Sequence, residues 1–348
     1  MARILVGIMG DAGGHISQAL AVANEMPHHQ FLFIGGGRVL DLRRMGYSVE
    51  EVPVPSTYYV NNRVDVSGTV QNALKVLFDR KRTVERVVQI VKDFDPALIL
   101  TAYEYFAPLA ARKLGIPCVS IDNHHFLNKC VCEVPKEQTV GRLMYALPLR
   151  WMFSNADYYF ISAFYKLTPA DPAETEVFPP VLRRAVLEVE RADEDHVLVY
   201  QTSPTFLRLV TALEQMPHKI IVYGLGERPS SKNIEYKAPS TTGFLNDLAT
   251  CRYLITNGGH NAIAEALYFG KPVFSFPIHF AYEQFFNAFM VGSLGYGNYS
   301  LVANPDAAVF KEFETRLDEF RTRIAQGEFY GNVKLAARLE ELIGRRKG

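Results

Sequence analysis

The sequence has few cysteines and no excess of charge of either sign. Its four cysteines are too few and too irregularly spaced for a disulfide framework, which is typical of a protein of the reducing cytoplasm. Lysine plus arginine and aspartate plus glutamate both total 37, so no overall field would attract nucleic acid or an anionic membrane. We therefore expect no nucleic-acid partner, and any attraction to a membrane must be local.

The sequence also lacks a long hydrophobic run. No stretch of about 18 uncharged apolar residues occurs, so we expect no membrane-spanning helix. The apolar run at 4–9 is too short for the hydrophobic segment of a signal peptide, and no cleavage pattern follows it. We interpret this run as a buried first strand and expect a cytoplasmic protein, at the inner face of the membrane if it contacts one.

Short β-branched runs alternate with helix-length segments along the chain, which indicates parallel sheets flanked by helices. Two sets of strand-like runs are separated by a proline-rich stretch, 168–180, of linker composition. We predict an α/β protein with two Rossmann-like domains, 1–180 and 181–325, that face each other across a cleft. A C-terminal helix within 326–348 would pack back toward the first domain.

A glycine pair in the second half carries most of the functional information. Gly258 and Gly259 follow a predicted strand and precede a predicted helix, whose first backbone N–H groups can bind an anion such as a diphosphate. Glu265 lies about one and a half turns into this helix, where a carboxylate can accept hydrogen bonds from both ribose hydroxyls. Glu283 and Gln284 follow the next strand and offer an acceptor and a donor to sugar hydroxyls. The alternative is a glycine pair that serves packing only, with Glu265 on a solvated helix face.

Residues 243–292 resemble the donor-binding segment of GT-B glycosyltransferases. The similarity is to UDP-glycosyltransferases, to the N-acetylglucosaminyltransferase that completes the lipid-linked peptidoglycan precursor, and above all to a related bacterial and archaeal branch. The resemblance implies a donor site in the second domain, in which each residue has an expected partner. Phe244 contacts the base; Gly258, Gly259, His260 and Asn261 surround the diphosphate; Glu265 binds the ribose; and Glu283 and Gln284 bind the transferred sugar. Asn257, just before the glycine pair, and Ser203 and Gly224, in loops after two other strands, complete the donor side.

The same resemblance implies a reaction. A hexosyl or N-acetylhexosaminyl group would move from a UDP-sugar, or a dTDP-sugar, to a hydroxyl of a glycan, glycolipid or small-molecule acceptor held by the first domain. The role would be in cell-surface glycan or glycolipid synthesis. The transfer would invert the anomeric carbon and need no cofactor and no metal, because the helix start can replace a cation and no DxD-type pair stands at the donor site. Two alternatives are a nucleotide-sugar 2-epimerase of the same fold and a non-catalytic nucleotide-sugar binding module.

A second glycine-rich loop follows the first predicted strand. It is not a dinucleotide-binding G-x-G-x-x-G motif, and Arg38 stands where such a site has an acidic residue, which leaves an NADP enzyme as an alternative. The loop is similar to the one that GT-B enzymes bring against the donor, here with Gly13 and Gly14. The resemblance implies His15 as general base, with Asp11 as the other candidate, because a neutral imidazole can take the acceptor's proton. A helix-capping or packing role is the alternative for the histidine.

A polar cluster follows a predicted strand of the first half. Asp122, His124 and His125 lie where α/β proteins place ligand contacts, so we expect them on the acceptor side of the cleft. Cys130 and Cys132 are close in sequence. The spacing of these histidines and cysteines matches no standard zinc arrangement, and we expect no metal here.

Residues 141–153 combine large apolar side chains with two arginines. Such a segment can dock on a lipid surface with anionic headgroups, which predicts a peripheral membrane contact. The alternative is a buried helix kinked at Pro148. The sequence identifies neither the transferred sugar nor the acceptor.

Overall fold

A computed structural model describes residues 1–10, 13–54, 59–60, 63–132, 135, 138–201, 206–226 and 228–345. The described strands form two parallel sheets and two short antiparallel ribbons. In chain order they are β1 (Arg3–Ile8), β2 (Gln30–Gly35), β3 (Ser48–Glu51), β4 (Tyr59–Val60), β5 (Arg63–Val64), β6 (Leu98–Ala102), β7 (Cys118–Asp122), β8 (Cys130–Val131), β9 (Tyr158–Ser162), β10 (Thr168–Pro169), β11 (Thr175–Phe178), β12 (His196–Tyr200), β13 (Lys219–Tyr223), β14 (Ile234–Tyr236), β15 (Leu254–Thr256), β16 (Val273–Ser275) and β17 (Gly297–Tyr299).

The first sheet has the strand order β11-β9-β7-β6-β1-β2-β3 and the second has the order β14-β13-β12-β15-β16-β17. In each sheet the chain starts in the middle, builds outward on one side and then crosses to the other, which is the order of a Rossmann fold. The crossing points lie between β1 and β6 and between β12 and β15. The prediction of two Rossmann-like domains is therefore confirmed.

Helices connect the strands and cover both faces of each sheet. They are α1 (Gly13–Glu25), α2 (Val66–Phe78), α3 (Arg80–Phe94), α4 (Phe106–Leu114), α5 (Phe126–Lys129), α6 (Thr139–Pro148), α7 (Arg184–Leu187), α8 (Arg208–Leu213), α9 (Thr241–Thr250), α10 (His260–Tyr268), α11 (Tyr282–Ser293), α12 (Ala308–Glu314), α13 (Leu317–Ile324) and α14 (Asn332–Arg345), with a 3-10 helix at Gly37–Met45 and a π turn at Leu149–Phe153. Because both faces are covered, the central strands β6 and β7 are buried at every residue. In the described part of the chain, no helix is both long enough and apolar enough to cross a bilayer.

One apolar cluster continues from the first domain into the second. Phe126 of α5 stacks on Phe286 of α11, with ring centroids 4.3 Å apart. Tyr165, just after β9, packs edge-on against the same phenylalanine. The two domains are thus joined by packed aromatic side chains at one end of the cleft.

The proline-rich stretch that the sequence presents as a linker contains a strand. Thr175 to Phe178 form β11, which pairs in parallel with β9 at the edge of the first sheet. The prolines at 169, 172, 179 and 180 flank this strand, so none removes a backbone donor from it. A stretch of linker composition thus contributes an edge strand, and the domain boundary at residue 180 stays a prediction.

The C-terminal helix α14 packs on α1 and holds the segment that leads into the second domain. The Asn332 side chain accepts a hydrogen bond from the backbone N–H of Leu182 and donates one to its carbonyl, both at 2.8 Å. The backbone N–H of Gly331 donates to the carbonyl of Pro180 at 2.8 Å. Hydrogen bonds to the N–H and to the carbonyl of Leu182 therefore fix the backbone just before Arg183.

Candidate active site

The carboxyl ends of the two sheets face each other, and a helix of each domain begins there. β1 leads into α1, and β15 leads through the glycine pair into α10. The side chain of Asn261, in the first turn of α10, donates to the carbonyl of Gly14 at 3.1 Å. Two helix starts, with their positive dipole ends, thus meet across the cleft, and such ends favour an anion.

The two glycines of the pair have different tasks. Gly258 has a φ of +90°, and a Cβ there would lie 2.5 Å from the carbonyl oxygen of Gln284, so this position is restricted to glycine. Gly259 has an ordinary φ of −66°. Apart from Gly259 and its two chain neighbours, no described residue has an atom within 4 Å of a Cβ built there, so the described residues leave space in front of the helix start. A diphosphate can approach the backbone at this point.

Glu283 lies beside the same helix start and connects the two domains. Its Oε1 accepts hydrogen bonds from the side-chain amides of Asn123, at 2.9 Å, and Asn287, at 2.5 Å. Burial raises the pKa of Glu283, and these amides together with the backbone N–H of His260 oppose that rise. Gln284 accepts a hydrogen bond from the backbone N–H of Ile278 at 3.2 Å. Both residues are bonded within the protein, and their contact with the transferred sugar stays a prediction.

Glu265 has a partner that the sequence analysis did not identify. Arg183 donates from Nε to Oε1 of this carboxylate at 2.7 Å and from Nη2 to Oε2 at 2.8 Å. The Glu265 side chain is 6% exposed and that of Arg183 is 23% exposed. Burial raises the pKa of Glu265, and the guanidinium opposes this shift. A buried carboxylate requires a cation, but the sequence has two adjacent arginines and does not say which one points inward.

An aromatic wall lies next to this ion pair. The ring of Phe244 packs against Tyr200, with centroids 5.1 Å apart, and against Tyr223, at 5.6 Å. Tyr200 is also close enough to Arg183 and Glu265 for their charges to affect its pKa, which is raised mainly by burial. The residues predicted to contact the base and the ribose are therefore neighbours in the structure.

Two amide side chains lie at the crossing point of the second sheet. Asn257 donates to Oε1 of Gln201 at 2.6 Å and to the carbonyl of Phe276 at 3.3 Å, and it is fully buried. Its amide group therefore supports the backbone beneath the glycine pair, and its place in the donor site stays a prediction. Gly224 has a φ of +87°, and a Cβ there would overlap the carbonyl of Gln201. Among the other predicted residues, Asp11 and Ser203 lie outside the described residues.

The two remaining polar residues at the start of α10 contribute differently. The His260 ring is buried, with its centroid 5.6 Å from that of Phe164, and burial lowers its pKa to about 4. Its backbone N–H serves the Glu283 carboxylate, whose pKa it helps to hold down. On the other domain, the Arg38 guanidinium approaches Gly13, since a Cβ there would lie 3.1 Å from Nη1.

His15 lies in the first turn of α1 and faces His124. The two Nε2 atoms are 3.3 Å apart, and the His15 ring stacks on Tyr103 with centroids 5.7 Å apart. Burial lowers the pKa of His15 to about 4 and that of His124 to about 3, so both rings are neutral at pH 7. Nδ1 of His124 is hydrogen bonded to the hydroxyl of Tyr145. A neutral His15 has a lone pair with which it can accept a proton.

Asp122 and His125 do not line the cleft, and the expectation that they do was wrong. Both are only 1% exposed. One Asp122 oxygen accepts from the backbone N–H groups of His124 and His125, and the other accepts from the Ser120 hydroxyl at 2.6 Å and from Nδ1 of His125 at 2.7 Å. Although burial alone would raise it, the pKa of Asp122 is held below its usual value by His125 and these bonds. The buried aspartate therefore orders the loop that presents His124.

One group among the described residues has the composition of a metal site. His28, His29 and Glu340 lie together at the amino ends of the first-sheet strands, opposite the cleft. Nδ1 of His29 accepts from the backbone N–H of Ala2 at 3.0 Å, so the ring proton of a neutral His29 is on Nε2, which faces Glu340 at 2.9 Å. This tautomer has no lone pair to offer a metal at Nε2. Burial raises the thiol pKa of Cys130, to about 12, and that of Cys132. Both shifts disfavour the thiolate form that binds a metal ion.

Two Rossmann-like domains whose helix starts meet across a cleft have the arrangement of the GT-B fold. The chain belongs to Glycosyl transferase family 1, whose sequence profile matches residues 2–318. It is similar to an uncharacterized glycosyltransferase of Methanosarcina mazei, 25% identical over 92% of this chain and 91% of the relative. It is also similar to the UDP-N-acetylglucosamine–N-acetylmuramyl-(pentapeptide) pyrophosphoryl-undecaprenol N-acetylglucosamine transferase of Alkaliphilus metalliredigens, 23% identical over 77% of both chains.

Solved structures show the same fold. The calicheamicin glycosyltransferase CalG4 has a TM-score of 0.69 at 19% identity and covers 99% of both chains. MurG of Acinetobacter baumannii has a TM-score of 0.64 at 15% identity, again over 99% of both chains. The protein is therefore a glycosyltransferase of the GT-B type, as the sequence predicted.

We expect the same substitution to have different effects on stability at the two glycines. Gly258→Ala places a side chain at positive φ against the Gln284 carbonyl, and we expect it to lower the free energy of unfolding by at least about 2 kcal/mol. Gly259→Ala fills open space and should change it by less than about 0.5 kcal/mol. Urea unfolding followed by circular dichroism measures both values. Equal stability of the two variants would contradict this assignment.

Proposed function

We propose that this glycosyltransferase moves a sugar from a UDP-sugar to an acceptor hydroxyl, with inversion and without a metal ion. The observation that supports this most is the open space at Gly259 between the starts of α1 and α10. A nucleotide diphosphate gains negative charge as it leaves. Backbone N–H groups at a helix start are donors that are already oriented, so they can stabilise that charge in place of a cation.

The proton of the acceptor has a suitable destination at His15. As the acceptor oxygen forms its bond to the anomeric carbon, the bond from that carbon to the phosphate oxygen breaks, and His15 takes the hydroxyl proton. The charge of Asp122 raises the pKa of His15 against the effect of burial, so this carboxylate stabilises the imidazolium that results. His124 lies between them and can relay hydrogen bonding from Tyr145.

The proposed nucleotide rests on the name of a relative, and the proposed compartment rests on the cysteines. The relative from Alkaliphilus metalliredigens is named for a UDP-N-acetylglucosamine donor, which favours uridine over thymidine and a hexosyl or N-acetylhexosaminyl group. Its named acceptor is lipid-linked, which favours a glycan or glycolipid acceptor here. The four cysteines are unpaired, which supports the cytoplasm. The donor is a substrate, and the proposal includes no separate cofactor.

Binding of UDP tests the donor site directly. A nucleotide that binds only the folded protein raises its stability, by about 2.7 kcal/mol at 100 times Kd. We expect UDP to raise the melting temperature of the wild type but not of Gly259→Ala, because the added methyl occupies the space for the diphosphate. Gly344→Ala, at an open position of α14, should respond to UDP like the wild type. A wild type that responds to neither UDP nor dTDP at millimolar concentration would refute the donor proposal.

Replacement of His15 tests the base. We expect His15→Asn to lower the rate of transfer by about 10²- to 10⁴-fold while UDP affinity stays unchanged, since proton acceptance by the imidazole is needed only in the chemical step. Transfer from labelled UDP-sugars to glycan, lipid-linked and small-molecule acceptors is the assay. His28→Asn, at an exposed turn, is the control and should be fully active. A fully active His15→Asn would make this histidine structural, and an epimerised donor as the product would favour the 2-epimerase.

Two exposed apolar stripes of the first domain support a peripheral membrane contact. One is on α2 and the other runs from α6 into the π turn. The exposed residues are Val70, Leu74 and Phe78 in the first stripe and Val140, Leu143, Leu147 and Trp151 in the second, and six exposed basic residues accompany them, namely Lys75, Arg80, Lys81, Arg82, Arg142 and Arg150. Phe78 is 92% exposed and Trp151 is 77% exposed. The sequence alternative of a buried helix kinked at Pro148 does not fit these exposures.

The two stripes belong to one surface. Arg80, which follows α2, lies over the ring of Tyr105, and that ring packs against Phe153 at the end of the π turn. Apolar side chains flanked by cations are suited to an anionic bilayer surface. We propose that this surface brings the acceptor side of the cleft to a membrane.

Vesicle binding tests the proposed surface. We expect the wild type to sediment with phosphatidylglycerol vesicles and to be partly released by salt, because charge supplies part of the attraction. Trp151→Glu should sediment at least several-fold less. The control is Val333→Glu, at another exposed apolar position, on α14, and it should sediment like the wild type. A wild type that stays in the supernatant would exclude this contact.

A further inference from the structure

Tyr103 has an unusual backbone conformation directly after β6. Its φ is +56°, in the left-handed region that a bulky side chain enters only at a cost in free energy. Two hydrogen bonds close the turn around it: the hydroxyl of Thr101 accepts from the backbone N–H of Glu104 and donates to its carbonyl, both at 3.0 Å. The Glu104 carboxyl group in turn accepts from the backbone N–H groups of Phe106 and Ala107, at the start of α4. The surrounding bonds therefore maintain a conformation that the tyrosine itself disfavours.

The two strands at the crossing point of the first sheet lead to Tyr103 and to His15. β6 ends one residue before Tyr103, and its neighbour β1 leads into α1, which carries His15 in its first turn. In α/β folds, the loops that follow these two strands border the crevice in which ligands bind. Tyr103 and His15 thus lie at the same edge of the sheet, where this fold places functional groups.

The ring of Tyr103 contacts both imidazoles of the cleft. It stacks on Phe153, with centroids 4.2 Å apart and an angle of 13° between the planes. The ring of His15 is also nearly parallel to it, at 13° and 5.7 Å, and that of His124 lies 4.4 Å away at 42°. Because Phe153 supports the tyrosine ring, the ring offers His15 a neighbouring plane that is fixed in place.

Two contacts define the orientation of the His15 imidazole. The stack on Tyr103 constrains the tilt of the ring, and the contact between the Nε2 atoms of His15 and His124, at 3.3 Å, constrains its rotation within that plane. A general base must be aligned with the proton that it accepts, because small misplacements slow a reaction strongly. An aromatic ring beside the imidazole also keeps water away from it, which agrees with the lowered pKa of His15.

We propose that Tyr103 is a positioning residue, whose strained backbone directs its ring onto His15 and holds the plane of that imidazole for proton transfer from the acceptor hydroxyl. The inference rests on the proposed role of His15 as the base, and it adds a residue that the sequence analysis did not identify. Backbone strain of this kind persists at sites where it orients a functional group. An ordinary φ at this position would direct the side chain elsewhere.

Steady-state kinetics of two variants test this role, in the transfer assay used for His15→Asn. We expect Tyr103→Leu to lower kcat by at least about tenfold and to change KM for the UDP-sugar by less than about threefold, because the stack serves the chemical step and not donor binding. Tyr103→Phe retains the ring and should keep kcat within about threefold of the wild type. If Tyr103→Leu does not fold, as judged by its melting curve, Tyr103→Asn is the replacement, because asparagine enters the left-handed region at a lower cost.

The pH dependence of kcat/KM separates positioning from ordinary packing. Burial lowers the pKa of His15 to about 4, against the charge of Asp122, so the base is neutral above that pH. The groups beside it stay neutral over the same range, because burial lowers the pKa of His124 to about 3 and raises that of Tyr145. Removal of the Tyr103 ring admits water, which moves the pKa of His15 back toward about 6.5. Between about pH 7 and about pH 5.5 we therefore expect kcat/KM to fall at least about threefold in Tyr103→Leu and to stay constant in the wild type and Tyr103→Phe.

Tyr105→Leu is the matched control. Tyr105 belongs to the same loop, but its ring packs against Phe106 and Phe153 and not against the imidazoles. Its replacement removes a tyrosine ring of similar size from the neighbourhood of Phe153 and leaves the stack on His15 in place. The kcat and the pH profile of Tyr105→Leu should be those of the wild type.

The outcomes separate this inference from the proposals on which it rests. A Tyr103→Leu variant with the kcat and the pH profile of the wild type overturns the positioning role. Equal losses in Tyr103→Leu and Tyr103→Phe, with no change in the pH profile, show that the hydroxyl itself acts on the substrate and overturn it as well. A fully active His15→Asn overturns the base assignment together with this inference, whereas the binding of UDP, measured separately, still decides the donor site.

Discussion

The conformation of Gly258 is the constraint on which the site depends. A φ of +90° lets the chain leave β15, pass within contact of the Gln284 carbonyl and enter α10 where Asn261 reaches Gly14 of the other domain. Any side chain at this position would displace either the helix start or α11. The buried Asn257 amide, bonded to Gln201 and Phe276, fixes the backbone immediately before the turn. Helix direction, helix position and the place where an anion can bind thus follow from one backbone turn.

The same region shows how a chain with no net charge can bind a highly charged substrate. The two carboxylates described beside the glycine pair, Glu265 and Glu283, are bonded within the protein, and the histidines beside them are kept neutral by burial, with pKa values lowered to about 4 at His15 and His260. The partial charge of oriented backbone groups is then available to a diphosphate. These groups do not need to move when charge develops on the leaving group, which is the main advantage of an electrostatically organised site.

Local patterns in the sequence predicted the parts of this site that depend on neighbours along the chain. The strand, glycine pair and helix at 254–268 are such a unit, and so is the position of His15 at the start of α1. Sequence reasoning failed where a role depends on distant partners. The backbone before Arg183 is held by Asn332, which is 150 residues away from Leu182. Asp122 is buried where four donors from Ser120, His124 and His125 converge on it. The edge strand β11 was missed because its pairing with β9, not its composition, makes it a strand.

Both carboxylates that the structure describes beside the glycine pair already have donors from the protein. Glu265 is balanced by Arg183, and Glu283 by Asn123 and Asn287, so neither carboxylate is left buried and unpaired. Because Asn123 belongs to the first domain, its bond to Glu283 also draws the two sheets together at the helix start. A donor that enters this cleft adds hydrogen bonds to carboxylates that are fixed in place, and it does not have to order them. The entropy cost of ordering the site is therefore incurred during folding. Binding of the sugar nucleotide then costs less entropy, so more of the free energy of each new contact contributes to affinity.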